Sequence, residues 1–396
     1  TGVEVHVLNL WYHSIIMVTG VSSSGTEVYA SANGRRPTWL ANAYEFIDNP
    51  GEWYINRSAG KLYYKADGAM ESKTVILPVT EQVIEMENCD NIIFDGIVFE
   101  HTSYTLPTEI GYEDAQANTQ VYNGWTQVDG GIMVDSCENI VFTNCKIRNM
   151  GSAGIKIFNR SNNVSITNCA IYDISYSGII AGEVSAHHGY QTNQLVTNTT
   201  IQNNYLTRVG LDMYDSPAVV VAYANGTLVD HNEIAYCPYS GISMGWGWDV
   251  DNDLAATEVG NNTISNNLVH DTGKTNRDGG SIYNLGSQVG SKIYGNYVYN
   301  SWDGKDTYEN GIYLDQGSAH YEIYNNVIGN NVGYWMHMWI NTIHDNYWHD
   351  NYHVSALALN ESVNSTVENN TLVADGNFTA YPAAMTIINN AGLQDT

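Results

Sequence analysis

The sequence predicts an all-β fold, a right-handed parallel β-helix (solenoid) with a small N-terminal β-module. Three observations carry that prediction. Short apolar strands opened by Gly or another small residue recur through most of the chain. Asn-rich segments recur in step with them, and both series keep a base period of about 24 residues, the mark of a stacked repeat.

The first series is GIMV at Gly131, GIKI at Gly154, GIIA at Gly178, PAVV at Pro217, GISM at Gly241, GSIY at Gly280, GIYL at Gly311 and WMHM at Trp335. The steps between them are 23, 24, 39, 24, 39, 31 and 24 residues, so three turns carry extra chain. The second series is NIVFTNCKI from Asn139, NVSITNCAI from Asn163, TTIQNNYL from Thr199, TLVDHNEI from Thr227, NTISNNLV from Asn262, SKIYGNYV from Ser291 and YEIYNNVI from Tyr321. A unit this short cannot bury its apolar face alone, and stacking copies about 4.8 Å apart makes the core. Asn144, Asn168, Asn204, Asn232, Asn267, Asn296 and Asn326 fall at the corners. There Asn tolerates left-handed backbone, and its amide can bond the coils above and below.

Cys145 and Cys169 lie one period apart, each after Thr-Asn, and are expected to stack as small buried residues; a disulfide between them is the less favoured alternative. Cys89 and Cys137 also occupy matching places, and with five Cys at least one is unpaired within the chain. No metal-ligand spacing is present. Residues 1–80 do not keep the period and are expected to form a β-module packed on the solenoid, which takes 81–396 and carries the groove. Within the module, Gly51 to Gly68 reads as a hairpin of two aromatic strands around Ser-Ala-Gly. Leu106 to Gly130 reads as an inserted cleft wall, and the weakly patterned residues beyond about 380 as a cap.

Acids outnumber bases 42 to 15, a net charge of −27, which disfavours nucleic acid, anionic membranes and polyanions such as pectate as partners. A salt-adapted or acidic extracellular habitat accounts for the same charge without any role in binding. No apolar run reaches the length of about 18 residues that a membrane span needs. Ten Asn-x-Ser/Thr sequons, Asn56 and Asn163 among them, fit a secreted protein. The chain begins at Thr1 without a signal-like segment, as a trimmed or mature form would. A monomer is expected.

Two residues before each strand opening, the alignment places Tyr176, Asp215, Tyr239, Asp278 and Glu309 in one column. At the far ends of the same strands lie Glu183, Tyr223, Trp246, Trp248, Asp249, Asp315 and Gln316. Acids beside aromatic faces make a groove suited to sugars. Glycoside hydrolysis needs one carboxylic acid to protonate the leaving oxygen and a second carboxylate as base or nucleophile. An Asp at a strand end often only caps a turn, and that reading stands beside the functional one for each acid taken singly.

NPGEWYINRSAGKLYY, GWTQVDGGIMV, PYSGISMGWGWD, RDGGSIYNLGSQVG and GIYLDQGS, in that order, resemble the β-helix glycosidases of glycoside hydrolase family 141, over nearly the whole chain. The resemblance implies activity on plant cell-wall glycans, as α-L-fucosidase or xylanase, with Asp278 and Asp315 as the catalytic carboxylates. Asp215, Trp246, Trp248, Asp249, Tyr283, Glu309 and Gln316 would position the sugar. Gln316 stands where an acid is expected, and family members usually have further coils before the point where this chain starts. The alignment puts Asp278 and Asp315 at opposite ends of adjacent strands, so Asp278 with Glu309, or Asp215 with Asp278, is kept as an alternative pair.

No cofactor is required by this chemistry, although calcium could bind among the acids. A polysaccharide lyase is the rival enzyme, drawing on Arg208, Lys274, Arg277 or Lys305 to stabilise an enolate. A non-catalytic glycan-binding solenoid is the rival without turnover. His187, His188, His337, His344, His349 and His353 show no zinc spacing and read as surface or structural residues; His337 and Trp339 share a strand face and could extend the groove.

Overall fold

The computed structural model describes residues 2–25, 27–30, 36–112, 114–117, 119–120, 126–184, 194–246, 258–301, 309–329, 334–338, 345–353, 357–360, 365–373 and 385–388. Three long parallel sheets run side by side along the chain, one strand of each contributed per coil. The site-bearing sheet has 11 strands, from Ile84–Glu87 at one end to Met385–Ile388 at the other. That last strand pairs in parallel with Leu357–Asn360, so parallel coil pairing is still present at 385–388, within the segment expected to form a cap. No helix among the described residues is long and apolar enough to cross a membrane.

Apolar residues set the register. Ile132, Ile155, Ile179, Val219, Ile242, Ile282 and Ile312 pair level with one another in successive strands and have no exposed surface. Each such side chain contributes roughly 1.5–3 kcal/mol by leaving water. A slip of one residue would turn the whole column outward, so this stack overrides weaker local signals. It corrects two expected strand openings. Ala218, not Pro217, and Ser281, not Gly280, stand level with the opening glycines; Gly178 N–H donates to Ala218 C=O and Gly241 N–H to Ser281 C=O, each at 3.0 Å. Glu309 therefore pairs with Gly279 rather than lying beside Asp278.

Where all three corners of a coil are described, three left-handed residues mark them at five-residue steps. Examples are Asn139, Asn144 and Asn149; Asn163, Asn168 and Asp173; Asn261, Asn266 and Asp271. The side chain that faces inward is the next one along. Asn204, Asn232, Asn267, Asn296, Asn326, Asn351 and Asn370 form a continuous ladder, each Nδ2 donating to the next Oδ1 at 2.9–3.0 Å. Asn144 and Asn168 belong to the outer, left-handed column instead. Cys145 and Cys169 take the ladder position in those coils, with Cys145 N–H on Cys169 Sγ at 3.4 Å and Cys169 N–H on Asn204 Oδ1 at 2.9 Å. All five cysteines are free thiols.

Before the solenoid, His13–Val21, Glu4–Leu8, Val28–Ala30 and Trp39–Ala41 make an antiparallel sheet. Trp53–Asn56 pairs with Lys61–Tyr64 in the expected hairpin. Within 106–130 lie the short helix Leu106–Ile110 and a small antiparallel sheet of Asp114–Gln116, Thr119–Gln120 and Thr126–Gln127. The N-terminal sheet and the 106–130 segment pack on the outer face of the site-bearing sheet. Ile15 and Tyr112 exchange two backbone hydrogen bonds of 2.7 Å, and both join an apolar cluster with Tyr176, Ile180, Val220, Trp246, Tyr283 and Tyr313. Leu10 C=O accepts the Arg277 N–H at 2.6 Å, bringing the first strands of the chain beside Asp278.

Asn267→Ala tests the ladder. The Asn267 amide serves Val229 C=O and Asn296 Oδ1, and its oxygen accepts from Asn232 N–H and Nδ2. Truncation strands buried partners, so urea unfolding should show a loss on the order of 3 kcal/mol; a loss within experimental error would mean the amides are dispensable.

Candidate active site

Tyr283 and Tyr313 stand level in adjacent strands, on the outer face of the sheet, with rings 5.3 Å apart and 83° to one another. They are 2% and 3% exposed. Two half-buried carboxylates flank them. Asp278 precedes the strand Gly279–Asn284 with φ 57°, a conformation Asp tolerates better than most residues. Its carbonyl accepts the Tyr239 hydroxyl at 3.1 Å, and that hydroxyl accepts Gln116 Nε2 at 2.9 Å, so the inserted segment helps hold the turn. Asp315 follows the strand Glu309–Leu314, where its Oδ1 accepts its neighbour's Gln316 N–H at 2.8 Å and its Oδ2 accepts the Tyr283 hydroxyl at 2.5 Å.

The Tyr313 hydroxyl makes a long 3.5 Å contact to Asp278 Oδ1 and also bonds Asp315. The separation expected between the two acids along the strand therefore does not isolate them. Burial, then repulsion from Asp315, pushes the Asp278 carboxyl up to about 6. Burial also raises Asp315, but Tyr283, the Gln316 N–H and Tyr313 all favour its ionised form. Asp278 has a single long contact of this kind, so the shared proton is better held there. Burial and Asp315 keep both tyrosines well above the ordinary phenol range, as neutral donors. A phenol has one proton, so Tyr313 donates to one carboxylate at a time. When Asp278 is protonated, it can donate to the Tyr313 oxygen while Tyr313 donates to ionised Asp315.

The remaining expected residues divide. Trp246 lies in the apolar cluster, 6% exposed, beside the same strand ends. Asp215 has no exposed surface. Gln316 is half-buried and acts on Asp315 through its backbone. Glu183 is engaged by Lys156, whose Nζ lies 3.3 Å from Oε1 and whose side chain is 3% exposed. Trp248, Asp249, Lys305, His187, His188, Trp339 and His344 lie outside the described residues, as does the side chain of Glu309. His337 pairs level with Tyr313 in the next strand. His349 bonds Asp350 and Glu322 on a different sheet. Arg208 pairs with Asp173, and Lys274 donates to Asn300 C=O at 2.8 Å. Among the described residues, no three His, Cys, Asp or Glu side chains converge on one point.

Two features escaped the sequence reading. The first is Tyr313 as the link between the acids; the aligned SIY and GIY segments, each with a Tyr level with the other, were its signal. The second is a buried polar chain from the first strands. Tyr214 N–H donates to His13 Nδ1 at 3.3 Å, which leaves the His13 proton on Nε2, 3.0 Å from His6 Nδ1. His6 Nε2 then carries its proton toward Glu4 Oε2 at 3.3 Å. Each tautomer follows from the donor before it. Glu4 and His6 alternate on one strand face, a pattern visible in EVHVL. Burial, then His6, holds His13 down at about 3.

The chain matches the right-handed beta helix region family over residues 55–191 and 130–391, and it belongs to that family. A solved glycoside hydrolase superimposes with a TM-score of 0.77 at 22% identity, covering 93% of this chain and 68% of that one. A surface adhesin of Streptococcus pneumoniae, PfbA, aligns with a TM-score of 0.47 at 15% identity over 72% of this chain and 69% of its own. In sequence, the capsule K1-specific depolymerase of Klebsiella phage K64-1 is 23% identical over 172 residues, which is 36% of this chain and 19% of the depolymerase. At these identities the likeness is one of fold.

Asp315→Asn removes a repulsive charge, so the Asp278 carboxyl should titrate below about 6; carboxyl-carbon NMR, assigned with Asp278→Asn, reads this, and an unmoved titration would show the acids are uncoupled. His13 yields a second prediction. Below its ordinary value of 6.5 the unfolded chain takes up a proton that the folded chain refuses until about 3. Stability should therefore fall with pH across that window, and His13→Gln should flatten the slope in urea titrations.

Proposed function

We propose that this chain is a secreted, monomeric glycoside hydrolase that cuts a neutral or branched plant-type cell-wall polysaccharide, such as xylan or a fucosylated pectic side chain. The observation that carries the reading is the pair Asp278 and Asp315, linked by Tyr313 and held in unequal environments. Asp278, pushed up to about 6, keeps a proton to give to the glycosidic oxygen as the C–O bond breaks. Asp315, served by three donors, is the carboxylate that attacks the anomeric carbon or activates the water that does. Water's hydroxyl ends on the sugar, and its proton restores the acid. Trp246 would line the sugar's path, with Trp248, Asp249 and Glu309 as further contacts to test. The resemblance to family 141 motifs and the fold shared with a glycoside hydrolase support the reading. No cofactor enters this reaction.

Reducing-sugar release from xylan, xyloglucan and pectic fractions tests the proposal. Asp278→Asn and Asp315→Asn should each lower turnover by about 10²–10⁴-fold with circular dichroism unchanged. The wild-type rate should fall as pH rises through about 6, because Asp278 then loses the proton it must donate. Retained activity in Asp315→Asn would move the second role to Glu309. An unsaturated product absorbing in the ultraviolet, with activity lost on chelation, would replace the hydrolase by a calcium-dependent lyase.

A further inference from the structure

We propose that the N-terminal module carries a second, non-catalytic binding site for a neutral glycan chain, in a groove walled by Tyr44, Tyr54 and Tyr63. The groove has a volume of about 560 Å³, and its polar lining is Asn42, Glu45 and Asn56. Tyr54 and Tyr63 are directly paired across the hairpin, with rings 6.4 Å apart and 29° from parallel. Tyr44 stands edge-on to both, 4.8 Å from Tyr63 and 6.3 Å from Tyr54, and is 53% exposed.

The chemistry selects the occupant. Phenol rings present apolar faces to the C–H face of a pyranose, while their hydroxyls and the nearby amides meet its rim. Glu45 is the lone charged group among the lining residues, and no cation accompanies it. Sugars bearing carboxylate, sulfate or phosphate would meet repulsion there, whereas a neutral chain would not. A protein partner would find a small, largely polar surface.

The groove is also fixed relative to the candidate active site. Asn42 Nδ2 donates to Glu4 Oε1 at 3.1 Å, and Glu4 ends the buried chain through His6 and His13 to Tyr214, next to Asp215. A polymer held by the tyrosines would stay within reach of Asp278 and Asp315, which raises its local concentration without touching the chemistry. This role rests on the polysaccharide reading above.

The test uses the full chain made without N-glycosylation, because Asn56 begins an Asn-Arg-Ser sequon. Retardation in gels cast with xylan or xyloglucan is measured in the Asp278→Asn background, with and without Tyr44→Ala or Tyr54→Ala. Tyr44 lies outside the hairpin, so its truncation leaves the strand pairing in place. Retardation should weaken about tenfold in either variant. With Asp278 restored, the tyrosine variants should lose rate on polymer and keep it on short oligosaccharides. Unchanged retardation, or none with any polymer, overturns the site. Retardation lost in the tyrosine variants while the wild type releases no sugar would overturn the hydrolase and keep the site. A concentration-dependent sedimentation shift abolished by Tyr44→Ala would instead assign the groove to a second copy of the chain.

Discussion

The amide ladder is the contact on which the rest of this molecule depends. Each inward Asn uses both amide protons and its oxygen, tying one coil to the carbonyl of the coil before and to the side chain of the coil after. An unmet buried amide is costly, so each coil has one acceptable height and one acceptable rotation. The isoleucine column on the site-bearing sheet obeys the same register. Tyr283 and Tyr313 are consequently level, and the link between the two acids is a product of coil stacking rather than of any local motif.

The same stacking explains how two acids tolerate a poorly solvated place. Carboxylates taken from water titrate upward, and neighbours repel one another. Here the cost is divided unequally. Tyr283, the Gln316 N–H and Tyr313 serve Asp315, which leaves Asp278 to keep the one proton the pair shares and to donate it to the Tyr313 oxygen. The His13 chain solves the complementary problem, because the buried His13 ring is held neutral and every ring nitrogen of His6 and His13 has a partner. Asp278 adds stability on the acid side, and His13 removes it there.

Much of this was legible in the sequence. The period, the parallel sheets, the hairpin and the stacked cysteines follow from spacing and residue type. Register was less so. The small residue that opens a strand is an unreliable mark, since Pro217 and Gly280 each precede the true position by one, while the buried isoleucine is a firm one. That single step separated Glu309 from Asp278. Asn144 and Asn168 misled for a related reason: Asn is favoured both at left-handed corners and in the ladder, and only depth in the core tells the two apart. Asp278 and Asp315 could be named from motif, but the hydroxyl between them depends on contacts 35 residues apart in the chain. Glu4 and His6 were readable as strand alternation, but His13 begins the next strand and its partner at Tyr214 lies 201 residues away.

The five-residue spacing of the left-handed corners has an evolutionary consequence. Two strands and three bends form a frame of constant length in each fully described coil, whereas the longer steps after Gly178, Gly241 and Gly280 all fall outside it, at the ends of the site-bearing strands. Chain can be added or removed there without disturbing any amide rung. Such a solenoid is a chassis with interchangeable groove walls. Descendants can change those walls while the acids beneath keep their geometry.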